Sequence, residues 1–186
     1  MLIPHVMTRR TSLVPVDPVV AGPEVRRVLD REGLGRLPDL DAFLATSTDD
    51  PAQTAAQFFI VRAGTEDKVG FASMTHLDTE LGQVRVDVVT DPLRTEFGIS
   101  LEATMLVVNH AFATWAIGKI YFCATPRNFD TLAAFPAMIT EEAEPPAQLR
   151  DLGTAHSLRV LSIHRDRWEK YGTRFLDRLV KSPVGR

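Results

Sequence analysis

The sequence predicts one α/β domain of the α+β kind, a mixed sheet flanked by helices, on three observations. Val84, Val86 and Val88 alternate with Arg85 and Asp87, the period-two pattern of a half-buried strand. Leu101, Met105, Val108, Phe112 and Trp115 then recur at steps of three and four, which is one helix face. Ile120 and Phe122 open a further strand, so strand, helix and strand follow one another within 45 residues or so, about the length of a crossover unit.

The elements can be taken in order. Thr11 to Val16 reads as a first strand, pushed to a sheet edge by Pro15, which cannot donate to a ladder. Gly22-Pro23 starts a helix whose apolar stripe is Val25, Val28 and Leu29, ending near Gly33 and Gly35. Pro38 to Ala45 is a second short helix with Leu40, Phe43 and Leu44 inward. Ala56 to Arg62 is a continuous apolar strand, and Gly64 to Lys68 turns it into an antiparallel neighbour, Val69 to Met74. Leu77 to Gln83 is a mostly polar connection to the central strand, which Asp91-Pro92 stops. Gly118 is expected to close the long helix. A short helix from Thr131 to Phe135, broken by Pro136, precedes an acidic, solvated loop from Glu141 to Pro146. Leu158, Val160 and Leu161 belong to the last strand. Arg165 to Lys181 reads as an amphipathic helix with Trp168, Tyr171, Phe175 and Leu179 on one face. Its basic outer face suits either water or a docking or homodimer contact.

Composition narrows the function. A chain of 186 residues suits a single domain, 1–186, with a core of its own. A net charge of −3 argues against nucleic acid as the main partner. The lone Cys123 permits no internal disulfide and fits a reducing cytoplasm; no secretion signal or bilayer-length apolar run is present. Cys123 itself reads as a small core hydrophobe. No paired His or Cys spacing suggests a metal.

Thr95, Glu96, Phe97, Gly98, Ile99 and Ser100 lie where the central strand hands over to the long helix. The first amides of a helix lack internal partners and sit at its positive end. A glycine there lets them approach a phosphate, although an ordinary turn has the same spacing.

Pro92, Gly98 and Glu102-Ala103, the run Asn109 to Phe112, then Asn128 with Thr131, and finally Gly153 to Leu158 and Leu161 to Trp168, follow in an order that resembles the GNAT superfamily of acyl-CoA N-acyltransferases. The branch acetylating protein N-termini and small-molecule amines is the most similar. The resemblance implies a mostly antiparallel GNAT-type sheet splayed at its centre, acetyl-CoA or another acyl-CoA as cofactor, and an amine acceptor. It implies that residues 95–100 bind the diphosphate, that the backbones of Val88 and Val89 bind the pantetheine arm, and that Asn128 contacts the arm from the far side. The helical pair near residues 23–45 would wall the acceptor groove. Departures stand beside the matches: Thr95 replaces Gln or Arg, Ser100 replaces a smaller residue, Phe135 replaces a tyrosine, and Met138-Ile139 replaces Gly-Phe. They motivate a second reading, a non-catalytic or divergent acyl-CoA-binding module, and a third, another acyl-CoA reaction such as decarboxylation.

Acyl transfer to an amine needs a route for the amine's proton. Asp87, the only carboxylate within the central strand, is the catalytic candidate; pairing with Arg85 is its structural alternative. His76 lies at the end of the third strand, near where an acceptor would enter. His110 is expected to be packed, and nothing ties His156 or His164 to chemistry.

Overall fold

The computed structural model describes residues 2–95, 98–124, 136–144, 146, 147, 149 and 159–181. Its strands β1 (Thr11–Pro15), β2 (Thr54–Arg62), β3 (Lys68–Asp78), β4 (Gln83–Thr90), β5 (Lys119–Ala124), β6 (Ile139–Glu141) and β7 (Arg159–His164) form one sheet. The order across the sheet is β1-β2-β3-β4-β5-β7-β6. All neighbours are antiparallel except β4 and β5, which the helix α3 (Ile99–Thr114) connects. The expected mixed, mostly antiparallel sheet is what the chain forms, with β1 at an edge.

The period-two alternation sorts side chains to the two faces. Phe58, Ile60, Val84 and Val86 pack with α3 and the C-terminal helix, while Phe59, Val61, Phe71 and Val89 pack with α1 (Pro23–Arg31) and α2 (Leu40–Thr46). Arg85 and Asp87 share the parity of Val89, so they face the α2 layer. Helix α3 is buried on nearly every side, from Ile99 to Phe112, rather than along one stripe. It ends at Thr114, earlier than expected. The Arg165 guanidinium donates to the carbonyls of Phe112, Trp115 and Ile117, which satisfies the last turn without a glycine cap.

Three other expectations change. β3 runs on to Asp78 instead of stopping at Met74. The expected acidic loop starts later: Glu141, though exposed, closes β6, and Glu142 accepts from Ser162 and Lys119. The C-terminal run is α4 (Arg165–Arg167), a π-helical turn (Trp168–Gly172) and α5 (Thr173–Lys181). The wider turn shifts the inward face, so Tyr171 is 42 % exposed and Leu176 is buried beside Trp168. Gly172 permits this packing, because a Cβ there would lie 2.2 Å from Trp168 Cε3.

Candidate active site

The β4–β5 ladder is short. Gln83, Val84 and Arg85 pair with Lys119, Ile120 and Tyr121, and among the described residues no β5 partner follows for the remainder of β4. On the other side Val88 and Val89 still pair with Ala72 and Phe71 of β3. β5 keeps its β7 partners through Ala124. Two parallel strands therefore part company after Arg85 and Tyr121, and the backbone of Val88 and Val89 borders the wedge between them. In a closed sheet those polar groups would be paired with a neighbour.

β4 ends at Thr90, where the Asp91 carboxylate accepts from Leu93 N (2.9 Å) and its carbonyl from Thr95 N (2.9 Å). Proline at 92 suits this turn. Gly98 then takes φ 97°, a left-handed conformation, and begins α3 with no side-chain cap. Ile99 is fully buried, and the Ser100 and Thr90 hydroxyls share a 2.7 Å hydrogen bond. Glu96 and Phe97, and likewise Asn128, Thr131, Phe135 and His156, lie outside the described residues.

The N-terminal segment adds a residue that the sequence did not announce. Arg10 donates to Glu102 Oε1 from Nε (2.8 Å) and Nη2 (2.5 Å). Glu102 is buried in the first turn of α3 and also accepts from Thr8 and Thr11. A Cβ on Gly98 would lie 2.6 Å from Arg10 Nη2, so the guanidinium sits directly against the start of the helix. A guanidinium only donates, so it cannot itself satisfy the first amides of α3. Its charge is balanced there by the Glu102 carboxylate in the first turn of the helix. Ninety-two residues separate this pair, and no local pattern marks it.

On the α2 side lies a cavity of about 510 Å³, lined among others by Gln53, His76, Asp78, Arg85, Tyr121 and Leu149. Arg85 and Tyr121 are also the last ladder pair, so the cavity meets the closed end of the wedge. The Arg85 side chain is 1 % exposed. It donates to Thr46 O (2.6 Å), Thr46 Oγ1 (2.7 Å) and Asp87 Oδ1 (3.0 Å), with Nε 2.9 Å from Asp87 Oδ2. Burial opposes its charge most strongly, but the Asp87 charge, the Cys123 sulfur and the Asp87 hydrogen bond together raise its pKa. Asp87, the sequence candidate for proton transfer, thus stands in the ion-paired arrangement, behind Arg85 rather than lining the cavity.

His76 is placed by a β-bulge. Thr75 pairs with Arg85 and Asp78 with Gln83, so His76 and Leu77 together oppose Val84. The bulge leaves a trace in the sequence, since Ala72, Met74 and Leu77 all reach the α3 core at steps of two and then three. His76 takes φ 52°, a left-handed conformation uncommon outside glycine. Burial, then the Arg85 charge, lowers its pKa below 6.5, against a smaller opposing effect of Asp87.

The other titratable candidates resolve simply. Burial pushes the Cys123 thiol up to about 11, with a smaller rise from Asp87 and an opposing effect of Arg85. His110 packs edge-on against Phe58 at 4.9 Å between centroids, and burial lowers its pKa. Among the described residues no cluster could hold a metal, and no helix is long and apolar enough to cross a membrane.

No protein-family model matches the chain, and no curated protein matches it in sequence. Solved structures do. Apo FdhC, a nucleotide-linked sugar GNAT, superposes with a TM-score of 0.63 at 10% identity, covering 94% of this chain and 97% of its own. Mutant forms of the spermidine/spermine N-acetyltransferase SpeG from Vibrio cholerae give 0.56 at 10% identity, over 87% and 97%. A probable acetyltransferase of the GNAT family from Chromobacterium violaceum gives 0.52 at 18% identity, over 88% and 87%. Ladder, wedge and superposition agree: the chain has the GNAT acetyltransferase fold.

Proposed function

We propose that the protein is an acetyl-CoA-dependent N-acetyltransferase acting on an amine of a small metabolite or a protein N-terminus. The observation that carries this reading is the parting of β4 from β5 after Arg85–Tyr121, beside a long helix whose first turn has no side-chain cap. The start of α3 suits a diphosphate, because its first turn has no side-chain cap and Gly98 is small enough for Arg10 to lie against it. The pantetheine arm fits along Val88 and Val89, with Asn128 assigned to its far side.

Acetyl-CoA supplies an activated acyl thioester. The chain's own part is to hold it, to donate hydrogen bonds from β4 amides where negative charge develops, and to exclude water. Asp87 serves this reading by orienting Arg85 at the cavity wall. The neighbour named for spermidine/spermine N-acetylation supports an amine acceptor without choosing one.

The test is thermal stability with acetyl-CoA. At a hundredfold excess over Kd, binding adds about 2.7 kcal/mol, or roughly 5–11 °C in Tm for a domain of this size. Gly98→Ala should reduce that shift, because its Cβ collides with Arg10. An unchanged Tm in saturating acetyl-CoA overturns the proposal. The second reading, a non-catalytic acyl-CoA-binding module, draws on the Ser100 hydroxyl being engaged with Thr90. Thiol release with one amine of a panel rules it out.

A further inference from the structure

We propose that the cavity beside Arg85 and Tyr121 seats the part of the acceptor remote from its amine, and that this part is a peptide group, so that the acceptor is the N-terminus of a peptide or protein. The inference rests on the acyl-transfer reading above and narrows it.

Two ladders break register at one place. β2 slips against β3 between Thr54 and Ala56, and β3 slips against β4 between Thr75 and Asp78. Thr54 pairs with Thr75, and Thr75 with Arg85. The three therefore stand in one buried row across the sheet, with a bulge on either side of it. Among the described residues, six buried side-chain nitrogen or oxygen atoms have no hydrogen-bond partner. Four of them are here: Thr54 Oγ1, Thr75 Oγ1, Arg85 Nε and, next in the chain, His76 Nδ1. Arg85 Nε touches Asp87 Oδ2 without the alignment of a hydrogen bond. A buried polar atom left unpaired costs free energy. Four together, beside a cavity of about 510 Å³ that Arg85 and His76 line, are accounted for by a ligand that brings polar groups of its own.

The unpaired groups say what kind of ligand. A hydroxyl or a neutral imidazole both donates and accepts, whereas a guanidinium only donates. Such a set suits a group that has a C=O and an N–H of its own. Net charge is not what the cavity offers. Both oxygens of Asp87 lie on Arg85, at 3.0 Å and 2.9 Å. Asp78 Oδ1 accepts from the turn amides of Glu80 (3.0 Å) and Leu81 (2.8 Å). Burial, then the Arg85 charge, holds His76 towards its neutral form. Among the described lining residues a polyamine would find one carboxylate, already committed to a turn, and a diphosphate one guanidinium, already ion-paired.

Distance sets the length. Arg85 precedes Val88 by three residues of β4, about 10 Å at the rise of a strand. An extended peptide has the same rise. An α-amine beside Val88, where the reading puts the thioester, therefore carries its third peptide group to the cavity.

The test uses the full chain, acetyl-CoA and a series of C-terminally amidated alanine peptides, with thiol release as the readout. kcat/KM should rise at least tenfold from the dipeptide amide to the tripeptide amide, through KM, and less than threefold from there to the pentapeptide. Titrating the tripeptide amide into the protein should shift the backbone amides of Thr54, Thr75 and His76 in NMR spectra. Thr75→Val removes one unpaired hydroxyl at a strand position that suits valine. It should cut the gain from dipeptide to tripeptide below threefold, with a Tm in the absence of peptide no lower than the parent's. A kcat/KM independent of length, a full gain or a lowered Tm in Thr75→Val, or faster turnover of spermidine or a nucleotide-linked amino sugar than of the tripeptide overturns the inference and leaves acyl transfer standing. Should Thr75→Val not fold, the NMR titration decides, and shifts confined to other amides overturn the inference. Acetyl-CoA binding without thiol release from any of these amines removes both the inference and acyl transfer, leaving only cofactor binding; no acetyl-CoA binding removes all three.

Discussion

Replacing Arg85 by methionine is the sharpest test of how the cavity wall is built. The substitution removes a guanidinium that is 1 % exposed and leaves Asp87, 9 % exposed, without its cation. It also strips the donors from Thr46 O and Thr46 Oγ1 at the end of α2. Removing one partner of a buried ion pair costs about 3–5 kcal/mol, because the remaining charge is uncompensated. The orphaned Thr46 carbonyl belongs to the same network, so its cost is contained in that figure rather than added to it. Against a typical total of about 5–15 kcal/mol, the variant should remain folded but lose roughly 6–20 °C in Tm. Arg85→Met with Asp87→Leu should recover most of the loss, since a well-packed apolar pair often matches a buried ion pair. Urea unfolding followed by circular dichroism measures each value. A single-variant cost under about 1 kcal/mol, or no recovery in the double variant, would refute the description of Arg85 as the link between α2 and β4.

Three more outcomes are expected. Gly172→Ala should lose about 1–3 kcal/mol by thermal melting through overpacking against Trp168 Cε3, whereas Tyr171→Ala should stay within about 0.5 kcal/mol. At pH 8, iodoacetamide should label Cys123 roughly a hundredfold more slowly than an exposed cysteine peptide, because a thiol at about 11 presents little thiolate; mass spectrometry gives the rate. Glu142 is pulled two ways: burial raises its pKa, but hydrogen bonds from Ser162 and Lys119 hold it below 4.5. Its contribution is therefore complete above pH 4.5 and lost as pH falls through its lower folded value, so Glu142→Gln should flatten that part of an acid-unfolding curve.

Strands β1 to β5 and β7 were legible because their causes are local. Alternation fixed Val84, Val86 and Val88 on one face and Arg85 and Asp87 on the other, and Asp91-Pro92 marked the strand end. Helix boundaries were less accessible. Gly118 looked like a cap, but Arg165, some fifty residues later, satisfies the α3 carbonyls instead. The π-helical turn at Trp168–Gly172 breaks the 3.6-residue period that assigned Tyr171 inward. Arg10–Glu102 and Arg85–Thr46 are contacts between distant segments, and no spacing rule reports them. His76 falls between: the step from Met74 to Leu77 encodes the bulge, but only β4 shows which cavity it faces.

The central claim is that the β4–β5 wedge and the start of α3 together receive acetyl-CoA. The most direct measurement is an amide NMR titration with acetyl-CoA, following Val88, Val89, Gly98, Ile99 and Ser100. The account predicts that these five resonances shift along one saturable curve. Saturable binding that moves other amides and leaves these five in place would contradict it.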